Sequence, residues 1–274
     1  MHFLLRKVLI ILFLMPYLTL LAQQAGEPAR FQSKLRRISI DSLSKNRKVA
    51  FGFEVRPIIP SALFRVSTDV VKAEDIVFTI SPRPGYTYGA YLAFNLSRRF
   101  SIETGINYIN RDFRITVDDG QLKTTLQFTA DNYEIPLIST YYVRLGKNIY
   151  MGHSAGISMQ FLPSHLASIV KEKDVTGTTI SSLEQVSKRK YWIMPAFKGG
   201  IGWEYRSENN GYIYVGPAYL LFTALYKTRL FYHRDKVNIQ HLDVKPIGDF
   251  FGITIRYVFP PTEMFTKNKG KEKK

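Results

Sequence analysis

One five-residue motif in this sequence could support nucleophilic catalysis. Gly152-His153-Ser154-Ala155-Gly156 matches G-x-S-x-G, which in α/β-hydrolases forms a strained strand-to-helix turn that exposes the serine. Here residues 157–161 continue as a strand pattern, and the chain lacks the alternation of strands and helices in which that turn occurs. His153 cannot act as the base for Ser154, because neighbouring residues of a strand point to opposite faces. We therefore predict that the protein is not an enzyme.

An alternative hypothesis keeps this serine as a nucleophile. Some membrane-embedded β-proteins cleave or transfer acyl chains with a serine and a histidine near the membrane surface. A barrel-embedded lipid hydrolase or acyltransferase that uses Ser154 would need a histidine from a connecting segment. The candidates are His165, His233 and His241. The approach of one of them to the Ser154 hydroxyl would separate this hypothesis from a non-catalytic role.

Two stretches carry side chains that could bind a metal ion. His233, Asp235, His241 and Asp243 share one polar segment, but their spacing matches no known ligand pattern. Val117-Asp118-Asp119-Gly120 lacks the remaining ligands of a calcium loop and is typical of a tight turn. We therefore predict neither a metal site nor a cofactor.

A set of charged residues interrupts otherwise apolar segments. Carboxylates of this kind could perform acid–base chemistry, but a network of opposite charges that neutralise one another is favoured, because unpaired buried charges are costly. On each predicted strand these residues fall on the face opposite the apolar one. The set is Glu54, Arg56, Glu103, Glu134, Lys198, Glu204 and Arg256.

The segments that carry these charges show the period-two alternation of β-strands. Residues 86–114 predict a hairpin with a charged turn at Ser97-Arg98-Arg99, and each arm has about the 9–11 residues of a tilted membrane-spanning strand. The alternation slips near Asp131-Asn132, which predicts a β-bulge. The other strands are predicted from residue 49 onward, within 124–143, and at 149–161, 191–205, 212–226 and 251–259.

The predicted connections alternate between short and long. The short ones are 97–99, 145–148 and 206–211, and the longer ones are about 59–84, 115–123, 162–190 and 227–247. With a periplasmic N-terminus, every short turn falls on the periplasmic side, as in outer-membrane barrels with an even number of strands. We therefore predict an all-β fold: an eight-stranded antiparallel up-and-down transmembrane β-barrel over residues 49–260.

The N-terminus has the pattern of a secretory signal peptide. Arg6 and Lys7 precede an apolar run from Val8 to Leu21, and Ala22 is a small residue at a suitable cleavage point. We predict a signal peptide over residues 1–22, a basic periplasmic leader over 23–48 and a lysine-rich tail over 261–274. The predicted location is the outer membrane of a Gram-negative bacterium.

Composition restricts the partners of the chain. It contains no cysteine, so neither a disulfide nor a thiolate metal site can form. The formal net charge of +16 predicts anionic partners. Export disfavours nucleic acid and favours outer-membrane lipid, including anionic glycolipid. Two basic segments are either solvated surface or binding sites for its phosphate groups: Lys171, Lys173, Lys188, Arg189 and Lys190 in one, and Lys227, Arg229, Arg234 and Lys236 in the other.

Several stretches together carry a family resemblance. They are Leu21-Ala22-Gln23 at the end of the signal peptide, the basic leader, Tyr133-Glu134-Ile135-Pro136-Leu137 and Gly252-Ile253-Thr254-Ile255-Arg256-Tyr257. In these the chain resembles the PorT-like outer-membrane β-barrel domains of Bacteroidota, over about residues 49–260. The resemblance implies an eight-stranded barrel that acts as a structural or partner-binding envelope component. One branch of that family helps to assemble the type IX secretion system, so envelope or secretion proteins are expected partners. A small-solute porin is the third function considered.

Overall fold

The computed structural model describes most of the region in which strands were predicted. The described residues are 48–60, 68–73, 76–97, 99–173, 175–207, 210–222, 226–234, 237–244, 246 and 248–260. The predicted signal peptide, the leader up to residue 47 and the tail from residue 261 lie outside them. Within these ranges every regular element is a β-strand and none is a helix, so the all-β prediction is confirmed. A search of the same ranges found no helix that could cross a membrane.

The described residues form thirteen β-strands, and every pairing between them is antiparallel. Their bounds are β1 Val49–Pro60, β2 Asp69–Ala73, β3 Ile76–Asn95, β4 Phe100–Asp118, β5 Lys123–Arg144, β6 Ile149–Phe161, β7 Leu166–Lys173, β8 Thr179–Arg189, β9 Ile193–Ser207, β10 Gly211–Phe222, β11 Tyr226–Arg234, β12 Val237–Val244 and β13 Phe250–Val258.

Eight of these strands pair in an order that returns to its start. The order is β1, β13, β10, β9, β6, β5, β4 and β3, and β3 pairs again with β1. The register between β1 and β3 runs from Val49 opposite Phe94 to Ile58 opposite Gly85. Each of the eight, called here the circuit strands, therefore has a paired neighbour on both sides. Strand β2 pairs with the first residues of β3 and extends the same sheet.

The circuit strands are joined by short turns at one end only. Backbone hydrogen bonds from Leu96 N to Phe100 O (3.0 Å) and from Leu145 N to Ile149 O (2.9 Å) close two of them. The third precedes Gly211, whose positive φ of 80° suits a residue without a side chain. The first residues of β1 and the last of β13 lie at this same end, which we call the turn end.

At the opposite end the predicted long loops prove to be largely β-structure. They contain β2, β7, β8 and β12, nearly all of β11, and the ends of β1, β3, β4 and β5. Strands β12, β11, β8 and β7 form a second sheet in that order. The loop prediction was wrong here because a buried face such as Leu183, Gln185 and Ser187 in β8 mixes polar with apolar residues. Such a mixture hides the alternation that marks a strand.

The second sheet packs against the neighbouring halves of β3, β4 and β5 through an apolar core. Phe78, Ile115 and Leu126 meet Leu183 and Leu230 in one buried cluster. Tyr232 adds an edge-to-face contact with Phe78, with ring centroids 6.3 Å apart. This end of the molecule is therefore a two-layered β-sandwich with a conventional hydrophobic interior.

Strand β5 exchanges the polarity of its two faces without any change of register. Burial alternates residue by residue along the strand, and its pairing with β4 keeps one register from Lys123 opposite Asp118 to Tyr141 opposite Phe100. The exposed face is polar from Lys123 to Asp131 and largely apolar from Tyr133 to Tyr141. The buried face changes from Leu126, Phe128 and Ala130 to Asn132 and Glu134.

The bulge predicted at Asp131-Asn132 is therefore wrong. The sequence pattern slips there because the surroundings of each face change, while the strand itself continues. The register shift near this level lies instead in β3, between Arg83 and Tyr86, where Pro84 and Gly85 interrupt the pairing.

Candidate functional site

The buried face of the circuit strands holds a network of ion pairs around Glu54. Glu54 in β1 lies directly opposite Arg256 in β13, and its Oε2 accepts hydrogen bonds from Arg256 Nη2 (2.8 Å) and Nε (3.2 Å). Its Oε1 pairs with Arg56, two residues along the same face, and with Lys198 Nζ at 3.5 Å. Three cations from three strands thus share one buried carboxylate.

Two further carboxylates join this network from β4 and β5. Lys198 Nζ lies 3.6 Å from Glu134 Oε2, which also accepts a hydrogen bond from Asn107 Nδ2 at 3.2 Å. Arg256 Nη1 lies 3.2 Å from Glu103 Oε2. The structure therefore brings six of the seven charged residues singled out in the sequence into one connected group.

The guanidinium of Arg256 is also packed between aromatic rings. Its Cζ lies 3.7 Å from the ring centroid of Tyr91 and 4.9 Å from that of Tyr214. The hydroxyl of Tyr142 donates to Glu103 Oε1 at 3.0 Å, which satisfies part of the remaining carboxylate capacity. The Arg256 guanidinium therefore contacts two aromatic rings and two carboxylates.

Glu204, the seventh residue, pairs with a partner that the sequence analysis missed. Arg206 in β9 binds Glu204, and its Cζ lies 4.2 Å from the ring centroid of Tyr150 and 4.6 Å from that of Tyr142. Arg206 was assigned to the turn over residues 206–211. Arg206 lies two residues after Glu204, so both side chains point to the same face of the strand. A predicted strand that continued past residue 205 would have placed Arg206 on the buried face.

Arg111 is a second buried cation that the sequence analysis missed. Its Nη1 donates to Asn132 Oδ1 at 3.1 Å, and its Cζ lies 5.1 Å from the ring centroid of Phe250 and 5.4 Å from that of Phe222. It stands where the polar interior meets the apolar core of the sandwich. Arg111 lies an even number of residues after Glu103 in β4, so the alternation of the strand places both side chains on the same buried face. This spacing could have identified Arg111 from the sequence.

The space left between these side chains is small. A cavity of about 30 Å³ is lined by Glu54, Lys198, Tyr214 and Arg256 among others. That volume suits a water molecule or two and is too small for an organic solute. The charged side chains, the tyrosines and the glycines of the buried face fill the remainder.

Ser154 lines this cavity, and no histidine side chain in the described part of the chain is hydrogen-bonded to its hydroxyl. Its Oγ donates to the carbonyl oxygen of Gly200 at 3.2 Å. His165 follows β6, which continues for seven residues, or roughly 23 Å, beyond Ser154. The Nδ1 atom of His165 accepts a hydrogen bond from the backbone N–H of Arg189 at 3.1 Å. His233 lies in β11 of the second sheet, and the side chain of His241 falls outside the described part of the chain.

Neither candidate metal segment forms a metal centre in the part of the chain that the structure describes. No group of three or more histidine, aspartate or glutamate side chains in the described ranges could hold an ion. Asp243 lies 3.2 Å from both Lys227 Nζ and Arg229 Nε. Asp235 lies outside the described residues.

The stretch at Asp118-Asp119-Gly120 forms the tight turn that its sequence predicts. Asp118 Oδ1 accepts from Gly120 N at 3.0 Å, and Asp119 Oδ1 accepts from Leu122 N at 2.7 Å. Asp119 also accepts from Tyr232 Oη at 2.8 Å and from Arg234 Nη1 at 2.7 Å. The turn between β4 and β5 is thereby fastened to β11 of the second sheet.

Asp119 is expected to make the sandwich sensitive to acid. Burial alone would raise its pKa, but hydrogen bonds from Arg234, Leu122 N and Tyr232 outweigh burial and hold the pKa well below its usual range. Because the unfolded pKa is about 4, the ionised carboxylate stabilises the fold above that pH, and the stabilisation is lost as pH falls toward the folded pKa. Urea unfolding of the purified protein at pH 6 and pH 3 measures this loss.

The matched variants are Asp119→Asn and Asp243→Asn. The first should lower the free energy of unfolding at pH 6 by about 1–3 kcal/mol and flatten its dependence on pH below 4. The second removes a half-exposed ion pair and should change it by less than about 1 kcal/mol. Equal effects of the two substitutions would contradict a fastening role for Asp119.

Comparison with known proteins gives likeness of structure but not of sequence. No protein-family model and no curated protein matches the chain. Similar solved structures include the outer membrane protein OprG from Pseudomonas aeruginosa, at 13% identity over 78% of this chain and 96% of that one, with a TM-score of 0.45. A second is the β domain of the Bordetella autotransporter BrkA, at 12% identity over 76% of this chain and 97% of that one, with a TM-score of 0.24. A third is the transport unit of the autotransporter AIDA-I from Escherichia coli, at 9% identity over 82% of this chain and 94% of that one, with a TM-score of 0.29. At these values no function is transferred to this chain.

Proposed function

We propose that the circuit strands close into an eight-stranded barrel that spans the outer membrane of a Gram-negative bacterium. The β-sandwich then stands outside the cell, and the turn end faces the periplasm. The apolar stretch of β5 from Tyr133 to Tyr141 has nine residues, which is close to the length of a tilted spanning strand. The outward faces of the other circuit strands are apolar at the same level, with Phe53, Ile106, Ile157, Phe197 and Ile255 all exposed.

The observation that carries this proposal is the exchange of polarity along β5. A strand in water hides its apolar face, as the sandwich end of β5 does around Leu126 and Phe128. The same strand then exposes Ile135 and Leu137 while it buries Glu134. An apolar environment around that segment makes both halves favourable, and a bilayer is such an environment.

Aromatic residues mark both edges of the exposed apolar band. Tyr86, Tyr88, Tyr108 and Tyr133 form a continuous outward cluster at the sandwich edge, with neighbouring ring centroids 5.3–6.2 Å apart. Phe51, Phe53, Tyr257 and Phe259 form another at the turn end. Membrane barrels place such girdles at the two interfaces with water.

The filled interior favours a structural or partner-binding role over transport. Ion pairs from β1, β4, β5, β9 and β13 cross the space that a solute would need, and the residual cavity holds little more than water. A barrel of this kind acts through its sandwich, its wall or its periplasmic segments. The resemblance to PorT-like domains suits such an envelope component and extends the proposal to a role beside protein export, with other envelope or secretion proteins as partners.

The geometry at Ser154 supports a non-catalytic protein. The hydroxyl already donates to a backbone carbonyl, and strand geometry separates it from His165. The seven charged residues, from Glu54 to Arg256, are proposed to act as a structural network inside the barrel.

The proposed function predicts that the purified protein forms no steady ion channel in a planar bilayer. Arg256, Lys198 and Arg56 each pair with a buried carboxylate, so opening a path would require separating opposite charges in a confined space. Conductance recordings at several salt concentrations test this directly. Steady channels whose ion selectivity changes in a correctly folded Arg256→Ala variant would show that the interior is a solute path.

A further inference from the structure

The basic residues of the second sheet divide into those that are held by structural partners and those that are not. Arg189 donates from Nη1 to the carbonyl oxygens of Leu162 (2.9 Å) and Pro163 (2.7 Å), and Arg234 is bound by Asp119. Lys188 and Lys190 are exposed and form no ion pair with any other described residue. These two lysines are therefore available to an external anion.

Two more cations lie beside these lysines on the outward face of the sheet. Lys227 in β11 is directly opposite Lys188 in β8, a like-charge pairing that destabilises a sheet. Arg229 follows two residues later, and the carboxylate of Asp243 is shared by Lys227 and Arg229. Four positive charges thus face one negative charge. We call Lys188, Lys190, Lys227 and Arg229 the rim patch.

The rim patch stands directly beside an aromatic edge of the exposed apolar band. Tyr191 and Trp192 connect Lys190 to β9, and their side chains are 58% and 62% exposed. Lys190 Nζ lies 5.2 Å from the ring centroid of Tyr191. The ring of Trp192 meets that of Phe161 edge to face, with centroids 6.5 Å apart. In a membrane barrel such aromatic residues lie at the level of the lipid head groups, so the cations lie just outside it.

The aromatic edge on β4 and β5 has a different chemistry. Above Tyr108 and Tyr133 the outward faces of β4 and β5 carry acidic groups. Asp131 accepts from Asn110 Nδ2 at 2.9 Å, and Asp112 accepts from Thr129 Oγ1 at 2.7 Å. Arg114 and Lys123 lie on the same two faces, so charges of both signs are mixed there, whereas the rim patch has four cations and one carboxylate.

We propose that the rim patch binds the phosphate groups of anionic glycolipid in the outer leaflet. This inference rests on the proposed function, because it needs the sandwich to stand on the side of the membrane that carries phosphorylated lipid. Lysine and arginine side chains form strong charge-assisted hydrogen bonds with phosphate oxygens. The aromatic residues below them would contact the sugar and the upper acyl region of the same lipid. The close approach of Lys188 to Lys227 is then relieved by the bound anion.

The test is lipid binding measured by native mass spectrometry on the detergent-purified protein. Diphosphoryl lipid A is the probe, phosphatidylcholine is the zwitterionic reference, and inorganic phosphate is added in excess in a separate arm. The variant Lys188→Gln/Lys190→Gln should bind lipid A about tenfold more weakly and phosphatidylcholine unchanged. Excess inorganic phosphate should not displace the lipid, because it cannot replace the contacts of the aromatic edge.

The matched control is Lys171→Gln/Lys173→Gln, which removes the same charge from the same outward face at its far end. It should bind lipid A within about twofold of the unmodified protein. Lys188→Arg/Lys190→Arg keeps the charge and should also retain binding. An equal loss in both Gln variants, no loss in either, or displacement by inorganic phosphate would each overturn the proposal. Folding is checked by the mobility shift on heating in SDS, so failure of the barrel itself is seen separately from failure of lipid binding.

Discussion

Replacing Arg256 by methionine is expected to lower the free energy of unfolding by about 3–5 kcal/mol. Methionine keeps much of the length of the side chain but leaves Glu54 and Glu103 without the guanidinium that binds both of them. Both carboxylates are buried, so each would remain charged without full compensation or take up a proton. Urea unfolding from lipid vesicles, followed by tryptophan fluorescence, measures the difference.

A compensated variant separates loss of charge balance from loss of packing. Arg256→Met combined with Glu103→Gln removes one charge of each sign and leaves Glu54 paired with Arg56 and Lys198, so the network stays neutral. This variant should recover more than half of the lost stability. If Arg256→Met alone changes stability by less than about 1 kcal/mol, the network does not stabilise the barrel and the filled-interior account fails.

Placing an arginine on the exposed face of β5 should lower the free energy of unfolding strongly in its apolar stretch and hardly at all near its first residues. Leu137→Arg puts a charge in the middle of the apolar stretch and should cost about 2–4 kcal/mol in a bilayer. Thr125→Arg puts the same residue on the same face of the same strand, twelve residues nearer the turn at Asp119 and opposite the uncharged Thr116. It should change stability by less than about 0.5 kcal/mol.

The pair is well matched because both positions are exposed and lie in one unbroken register with β4. Intrinsic strand propensity and the size of the new side chain are therefore the same in both variants. Comparable costs at the two positions, or a larger cost at Thr125, would show that the apolar stretch of β5 does not face lipid.

The circuit strands were largely predictable from the sequence because a single alternation of apolar and other residues suffices there. In β6 and β13 every outward residue is apolar or small except His153, so strand positions follow from period two alone. Strand β6 was predicted with the bounds that the structure has, and β13 within one residue. The same alternation identified the charged residues on the face opposite the apolar one.

The sandwich was not predictable in the same way. Its strands bury Gln185, Ser187 and Thr228 beside Leu183 and Leu230, so their sequences resemble polar loops. Its core also forms only when β8 and β11 meet, although about forty residues separate them. The pairing of Asp119 with Arg234 across 115 positions has no signal in a single sequence. Arg206 was missed for a simpler cause, since the predicted strand ended just before it, and Arg111 lay within the predicted hairpin but was not recognised as a buried cation.

The most direct test of the membrane-spanning barrel is a scan of solvent along the exposed face of β5. The chain has no cysteine, so single cysteines at Thr125, Gln127, Thr129, Ile135, Leu137 and Ser139 can each carry a spin label without background. In reconstituted vesicles, collision rates with oxygen and with a water-soluble nickel chelate report lipid and water, respectively. We expect the first three positions to be accessible to nickel, and the last three to be accessible to oxygen and shielded from nickel. Accessibility to nickel at all six positions would contradict a membrane-spanning β5 and the barrel built around it.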